Sequence, residues 1–152
     1  MNLVAYLKSN KVWYKFIEKI ETVHTADAAS ASGLPLERVT KSLVFLVDGT
    51  PILVVIPGNC IVNKGKLKEI INAKDIELVP FEQAEKYSGY EPGATPPVCH
   101  KNVKKVVIDQ KVMQFPTVFG GGGSRKKLIE LKTEDIQKLN NAIVADVAEV
   151  KK

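Results

Sequence analysis

SLVFLVDGTPILVVIP, residues 42–57, contains two apolar runs separated by a turn dipeptide. Asp48-Gly49 is typical of the tight turn of a β-hairpin, so residues 42–47 and 52–57 are predicted to pair as antiparallel strands. Both runs are apolar at successive positions, and successive side chains of a strand point to opposite faces of a sheet. The hairpin is therefore expected to lie at the centre of its sheet, with both faces covered.

Shorter segments on both sides of the hairpin complete the predicted secondary structure. Helices are predicted over 2–9, 26–32, 35–39, 63–71, 81–87 and 133–140, and strands over 12–20, 76–79, 103–108, 117–120 and 127–131. Residues 143–150 are apolar at uneven spacing and fit either a strand or a helix. Because these elements mix without a regular βαβ alternation, residues 1–152 are predicted to form a single α+β domain around a mixed sheet of about six strands.

Local signals predict how several helices begin and which side chains they bury. Thr25 and Thr133 are predicted N-caps, because a threonine hydroxyl can accept a hydrogen bond from a free N–H in the first helical turn. In the helix over 63–71, helical spacing predicts three inward-facing side chains, which are Leu67, Ile70 and Ile71.

Composition restricts the class of protein. Of the 152 residues, 45% are hydrophobic and 26% are charged, an ordinary globular balance that argues against disorder. No apolar run approaches the roughly 20 residues of a membrane span, and the N-terminal segment lacks a signal-peptide core, so a cytoplasmic protein without membrane association is expected. Cys60 and Cys99 are far apart and only two histidines are present, so no metal site is expected and both thiols are predicted to be free.

Positive charge is concentrated in the middle of the chain. The formal net charge is +5, and residues 64–127 alone hold 12 basic and 7 acidic side chains, a difference of +5. A folded basic face suits a polyanion such as nucleic acid, although a solvated lysine-rich surface is the alternative. Because 20 of the 22 basic residues are lysines, contacts to phosphates are expected rather than reading of base edges.

Two candidate sites lie in the first hundred residues. Lys41 directly precedes the apolar run 42–47, where a lysine can bind an anion, although an ordinary exposed lysine is the alternative. The second is the loop GYEPGATPP, residues 89–97, in which prolines fix the backbone and Gly93 allows close approach. Such a loop can present rigid N–H groups, as an oxyanion hole requires, or can be a structural crossover.

Two further features are weaker. Four glycines over 120–123 precede Ser124 and Arg125, and such a segment can admit a phosphate to the main chain or form a flexible turn. His24 stands immediately before Thr25, where it could act as an acid–base group or have a structural role. Neither cysteine has an adjacent histidine placed to form a nucleophilic pair.

The combination resembles one family. TKSLVFLVDGTPILVVIPGN (40–59), NKGKLKEIINAKDIELVPFEQAEKYSGYEPGATPP (63–97), VVIDQKVMQFPTVFGGGGSRKKLIEL (106–131) and ADVAEV (145–150) are similar to the YbaK/prolyl-tRNA synthetase-associated domain family. Its members are free-standing or inserted editing domains that deacylate mischarged tRNA, typically tRNA(Pro) that carries cysteine or alanine. The resemblance implies a mixed, largely antiparallel sheet surrounded by helices.

The resemblance also implies which residues act. Lys41 matches a lysine thought to meet the terminal-nucleotide phosphate, and the segment GATPP, residues 93–97, matches a loop that lines the aminoacyl pocket. Backbone N–H groups near Gly93 and Ala94 are predicted to polarise the ester carbonyl. The implied substrate-binding residues are His24, Thr25, Thr95, Pro96, Pro97, Gly121, Gly122 and Arg125. Of these, Gly121 and Gly122 are expected on the wall opposite the 93–97 loop. Family members often have GGxSP where this chain has GATPP, which leaves the amino-acid specificity open.

The implied reaction is hydrolysis of an aminoacyl ester, which needs mainly positioning and oxyanion stabilisation. A small pocket is expected to admit alanine, serine or cysteine and to exclude proline. Aminoacylated tRNA is the expected partner and prolyl-tRNA synthetase a candidate one, with no cofactor or metal. The alternatives are a non-catalytic RNA-binding module on the same fold, or a hydrolase of another small ester or nucleotide.

Overall fold

The computed structural model describes residues 2–151, which form five α-helices and ten strands. The helices are α1 (Leu3–Ser9), α2 (Thr25–Ser32), α3 (Lys64–Ile70), α4 (Glu85–Ser88) and α5 (Thr133–Asn140). The strands are β1 (Tyr14–Glu18), β2 (Thr40–Val47), β3 (Thr50–Pro57), β4 (Cys60–Val62), β5 (Ile76–Leu78), β6 (Lys105–Asp109), β7 (Thr117–Gly121), β8 (Lys127–Lys132), β9 (Ile143–Ala145) and β10 (Ala148–Val150). Short 3-10 turns cover Leu36–Arg38, Phe81–Gln83 and Gln110–Gln114.

The predicted hairpin forms the centre of a five-stranded sheet with the order β5-β2-β3-β6-β9. Strand β2 pairs antiparallel with β3 and β5, whereas β3–β6 and β6–β9 are parallel. Because β3 is the middle strand, it has a strand on each side and is buried from Ile52 to Pro57. The predicted α+β class and the central position of the hairpin are confirmed.

The prediction of a single sheet of about six strands is wrong. Strands β1, β8 and β7 form a separate antiparallel sheet, and β10 pairs with β4 in a third sheet of two strands. Strand β2 meets the second sheet where the Thr40 hydroxyl donates to the carbonyl of Phe119, 3.1 Å away. Hydrophobic pattern alone specifies strands but not their partners, which is why the number of sheets was missed.

Both faces of the central sheet are buried. The hairpin side chains on one face belong to one hydrophobic cluster, and those on the other face belong to a second cluster. Val44, Leu53 and Val55 belong to one hydrophobic cluster, and Phe45 and Val54 belong to the other. This division follows the alternation of side chains along a strand. It explains why successive positions of both runs are apolar.

Three details of the helices differ from the predictions. Neither Thr25 nor Thr133 is an N-cap: each is the first residue of its helix, and His24 and Lys132 occupy the cap positions without a side-chain hydrogen bond. The Thr133 hydroxyl instead donates to the carbonyl of Phe115, 2.7 Å away, which lies just before strand β7. On α3, Leu67 is buried as predicted, but Ile70 is 45% exposed.

The end of the chain is fixed by one buried carboxylate. The 143–150 segment forms β9 and β10 rather than a helix. Between these strands, the N–H groups of Val147 and Ala148 both donate to Oδ1 of Asp109 at 3.0 Å. Oδ2 accepts from the N–H of Lys111 at 3.1 Å. Asp109 therefore holds the chain in the position from which β10 reaches β4.

Replacing this carboxylate should destabilise the fold. Asp109→Ala leaves three N–H groups without their acceptor, and an unsatisfied buried donor costs on the order of 1–3 kcal/mol, so a loss of about 3 kcal/mol or more is expected. Urea unfolding measures the difference. Asp146→Ala is the matched control, because that carboxylate is exposed and should change stability little. Equal midpoints for the two variants would contradict this role of Asp109.

Candidate functional site

A cavity of about 640 Å³ opens where the first turn of α2, strand β2 and the 93–97 loop meet. Its volume lies within the range of small-ligand sites. Six predicted site residues line it, namely His24, Thr25, Lys41, Gly93, Thr95 and Gly121. Lys41 and the loop therefore face the same space, although they are about fifty residues apart in the chain.

Lys41 lies inside strand β2 rather than before it. Its side chain is partly buried, and its Nζ donates to the carbonyl of Cys60 at 3.0 Å. Burial lowers the pKa of Lys41, and the charge of Lys151 lowers this pKa further. The neutral carbonyl oxygen of Cys60 thus holds the Lys41 ammonium, and the Lys41 side chain lines the cavity.

The lining is cationic. It contains Lys41 and Lys151, together with the neutral polar residues Ser42 and Asn59, and it includes no aspartate or glutamate among the residues described. Such a lining attracts an anionic ligand. Sequence reasoning missed Lys151, because its position depends on the pairing of β10 with β4, a strand almost ninety residues earlier in the chain.

The 93–97 loop supplies fewer free N–H groups than predicted. The N–H of Ala94 donates to the carbonyl of Glu91 at 3.0 Å, and Ala94 is fully buried. This pairing leaves Ala94 unavailable as an oxyanion donor. Across residues 2–151, the N–H groups of Gly93 and Thr95 donate to no protein acceptor. These two residues also line the cavity, so they are the better candidates for that role.

The two loop prolines hold the loop in place and do not line the cavity. Pro96 and Pro97 are both buried. The carbonyl of Pro96 accepts from Nε2 of His100 at 2.7 Å, and the carbonyl of Pro97 accepts from Nδ2 of Asn140 at 2.8 Å. The structure thus places Pro96 and Pro97 outside the cavity lining, where their carbonyls tie the loop to His100 and Asn140.

The glycines of β7 lie against the loop and not across a cleft from it. A Cβ at Gly121 would stand 2.5 Å from the carbonyl oxygen of Thr95 and 2.6 Å from the carbonyl carbon of Ala94. Gly122 lies beside Lys127 and donates its N–H to that residue's carbonyl, away from the cavity. The predicted opposite wall is thus a shared wall, built by Gly121 and the loop in contact.

Arg125 binds the outer side of the same loop. Its Nε donates to the carbonyl of Pro92 at 2.8 Å and lies 3.9 Å from a carboxylate oxygen of Glu91. Arg125 does not line the cavity. The prediction that it binds substrate is not supported by this placement, which makes it a support of the loop.

An aromatic pair forms the remaining side of the cavity. The ring of His24 stacks on the ring of Phe81, with centroids 5.7 Å apart and planes 24° from parallel. Phe81 lines the cavity and is 43% exposed, so its ring is accessible to a ligand in the cavity. The sequence showed Phe81 only as the start of a helix and gave no sign of this contact.

The small pocket expected for the amino acid can only be one part of this cavity. A cavity of about 640 Å³ is far larger than an alanyl or prolyl group. Exclusion of one amino acid must therefore depend on the part of the wall that it touches, not on the total volume.

No group of three or more His, Cys, Asp or Glu side chains that could hold a metal ion occurs within residues 2–151. Over the same residues, no helix has both the length and the apolar character needed to cross a membrane.

The described lining of the cavity carries two lysines and no carboxylate, a charge that suits an anionic ligand. Residues 18–139 match the family of aminoacyl-tRNA editing domains. The match covers more than half of the chain, and the chain therefore belongs to this family. The resemblance inferred from the motifs is confirmed, and so is the prediction of an aminoacyl-tRNA editing enzyme at the level of the family.

Two sequence relatives differ in length. A protein of Enterococcus faecalis, named for a proposed Cys-tRNA(Pro)/Cys-tRNA(Cys) deacylase activity, is 27% identical over 150 residues, which cover 96% of this chain and 92% of that protein. The proline–tRNA ligase of Nitratidesulfovibrio vulgaris is 34% identical over 90 residues, which cover 59% of this chain. The aligned part is only 16% of that ligase, so this chain corresponds to a small part of it.

Two solved structures share the fold. The crystal structure of a protein described as hypothetical superposes with a TM-score of 0.89 and 27% identity, covering 97% of this chain and 99% of the other. A proposed trans-editing enzyme for prolyl-tRNA synthetase superposes with a TM-score of 0.79 and 26% identity, covering 90% of this chain and 87% of the other.

The contact between Gly121 and the loop can be tested by adding one methyl group. Gly121→Ala should destabilise the protein by about 1–3 kcal/mol, because the new Cβ meets backbone that cannot move without displacing the loop. Chemical denaturation measures the loss. Gly65→Ala is the control, since a Cβ there meets only the Asn63 side chain at 3.4 Å, and alanine favours a helix by up to about 1 kcal/mol. If Gly121→Ala left the stability unchanged, the wall would be loosely packed, contrary to this account of the contact.

His100 should make the stability of the loop depend on pH. Burial lowers the pKa of His100 to about 4, against the usual 6.5. Between these values the unfolded chain binds a proton that the folded protein does not, so stability falls as pH drops from 6.5 to 4, by about 1.4 kcal/mol per pH unit.

The non-titrating variant His100→Gln isolates this effect. Its free energy of unfolding should decrease less than that of the wild type over the same acidic range, because the glutamine amide cannot take up a proton. The amide can still donate a hydrogen bond to the carbonyl of Pro96. Parallel pH profiles of the two proteins, measured by urea unfolding, would refute the assignment.

Proposed function

We propose that this chain is a free-standing trans-editing hydrolase that deacylates mischarged tRNA, releasing a small amino acid such as cysteine or alanine from tRNA(Pro). The family supports the class of reaction. The match to nearly the whole length of the E. faecalis protein, which is named for a proposed Cys-tRNA(Pro)/Cys-tRNA(Cys) deacylase activity, supports the proposed class of substrate. The similarity to a proposed trans-editing enzyme for prolyl-tRNA synthetase makes that synthetase's product the natural substrate to test.

One observation carries the proposal. Lys41, Gly93 and Thr95 line one cavity whose described lining contains no carboxylate. A phosphate can therefore approach the ammonium without repulsion, while the ester lies beside the loop that offers free N–H groups. The aminoacyl ester at the 3′ end of tRNA carries both features, a phosphodiester and a carbonyl carbon, one nucleoside apart.

In the proposed mechanism, Lys41 exchanges its contact with the Cys60 carbonyl for a phosphate oxygen, or for the ester end, of the terminal nucleotide. The N–H groups of Gly93 and Thr95 stabilise the negative charge that develops on the carbonyl oxygen. Water adds to the carbonyl carbon, the carbon–oxygen bond to the ribose breaks, and the ribose oxygen takes up a proton. The substrate's own amine or hydroxyl serves as the base for the attacking water.

Selectivity is proposed to arise where the amino acid meets the shared wall of Gly121 and Thr95. Both residues are fixed there, because Gly121 is already in contact with the backbone of Thr95 and Ala94. A wall that cannot yield rejects a bulky or ring-shaped side chain by steric exclusion. Discrimination between two small side chains that differ by one methylene is worth only about 1–3 kcal/mol.

A panel of charged tRNAs tests the function. Ala-, Ser-, Cys- and Pro-charged tRNA(Pro) are incubated with the protein, and loss of the labelled amino acid is followed. We expect hydrolysis of one or more of the small amino acids and none of proline. Lys41→Ala should lower kcat/KM by about 10- to 100-fold, since a hydrogen bond to a charged group is worth about 1.5–3 kcal/mol.

Lys138→Ala is the matched control, because Lys138 is an exposed lysine on α5 that does not line the cavity. Salt-dependent tRNA binding without any hydrolysis would identify an RNA-binding module instead. Hydrolysis of small esters without salt-dependent RNA binding would identify a different hydrolase. Full activity of Lys41→Ala would remove Lys41 from the mechanism.

A further inference from the structure

Lys151 reaches the cavity through the pairing of the last strand. Strand β10 runs antiparallel to β4, with Val150 opposite Cys60. Just beyond this pair, the N–H of Lys151 donates to the carbonyl of Asn59 at 2.9 Å. The backbone of Lys151 is thus fixed beside the turn between β3 and β4, and its side chain lines the cavity with Lys41.

The two lysines lack a negative partner in the described part of the chain. Within residues 2–151, neither ammonium lies within 4.0 Å of an aspartate or glutamate oxygen. Burial lowers the pKa of Lys41, and the nearby charge of Lys151 lowers this pKa further. Two neighbouring cations without an anion raise the free energy of the empty site, and a bound anion removes this cost.

We propose that Lys151 is a second phosphate-binding residue, which together with Lys41 holds the phosphate on the 5′ side of the terminal nucleoside. The inference rests on the proposed function for the identity of the substrate. Lys41 approaches the phosphate from the sheet, and Lys151 approaches it from the closing strand. Lys151 is a positioning residue, since it acts on the phosphate and not on the ester.

The fold is built to keep this lysine in place. Asp109 binds the N–H groups of Val147 and Ala148, so the segment that leads into β10 has a fixed start. The pairing of Lys151 with Asn59 fixes its end. The long side chain of Lys151 is thereby presented from a backbone that is anchored from Val147 to the N–H of Lys151 itself, which reduces the backbone entropy lost when the side chain binds an anion.

Nucleotide binding tests the inference without any need for hydrolysis. The probes are 5′-AMP and adenosine, which differ only in the phosphate, and calorimetric or NMR titration gives their dissociation constants. The wild type should bind 5′-AMP about tenfold or more tightly than adenosine, in line with a charge-assisted contact. Lys151→Ala should lose most of this preference, Lys151→Arg should keep it, and Lys138→Ala should behave as the wild type.

Deacylation kinetics give a second readout on the same variants. Lys151→Ala should raise KM about tenfold and change kcat by less than about twofold, because a uniform binding contact is removed. Lys151→Arg should restore KM. A purely structural role would instead lower the thermal midpoint and leave the arginine variant as impaired as the alanine one.

The outcomes separate the two proposals. If the wild type hydrolyses no charged tRNA but prefers 5′-AMP through Lys151, the proposed function fails and the phosphate site stands. If the wild type is an active deacylase and Lys151→Ala matches it in KM and in the preference for 5′-AMP, the inference about Lys151 is overturned.

Discussion

The close contact between Gly121 and the 93–97 loop is the constraint on which the site depends. At this contact, strand backbone and loop backbone approach more closely than any Cβ would allow. Gly120 makes the same kind of approach to the ring of Pro97. The loop is thereby seated on the second sheet, with its outer side held by Arg125. Only from this position do Gly93 and Thr95 face the lysine of the central sheet.

The positive charge of the cavity lining favours one class of ligand. A partly buried ammonium that donates to a single carbonyl keeps much of its capacity to bind an anion, and here a second lysine lies beside it. The charge of the described lining thus favours the approach of negatively charged ligands. Since an aminoacyl ester is reactive by itself, a site that holds the adjoining phosphate and offers donors to the carbonyl has the main elements that hydrolysis requires.

The sequence predicted local features well and long-range placement poorly. The hairpin was predictable because Asp48-Gly49 and the flanking apolar runs specify both the turn and the burial. The position of Lys41 followed from the same segment. Lys151 and Phe81 were missed because their role depends on strand pairing and stacking between distant segments. The placement of Pro96 outside the cavity lining was not predictable, because a sequence does not show which side of a loop faces a cavity.

In the proposed mechanism, the 5′ phosphate of the terminal nucleotide is a direct partner of Lys41. A crystal structure with a non-hydrolysable amide analogue of the aminoacylated 3′ end tests this claim most directly. The prediction is a phosphate oxygen at hydrogen-bond distance, about 2.7–3.2 Å, from the Nζ of Lys41, with the amide carbonyl directed at the N–H groups of Gly93 and Thr95. An analogue bound elsewhere on the surface, with Lys41 still donating to the carbonyl of Cys60, would contradict it.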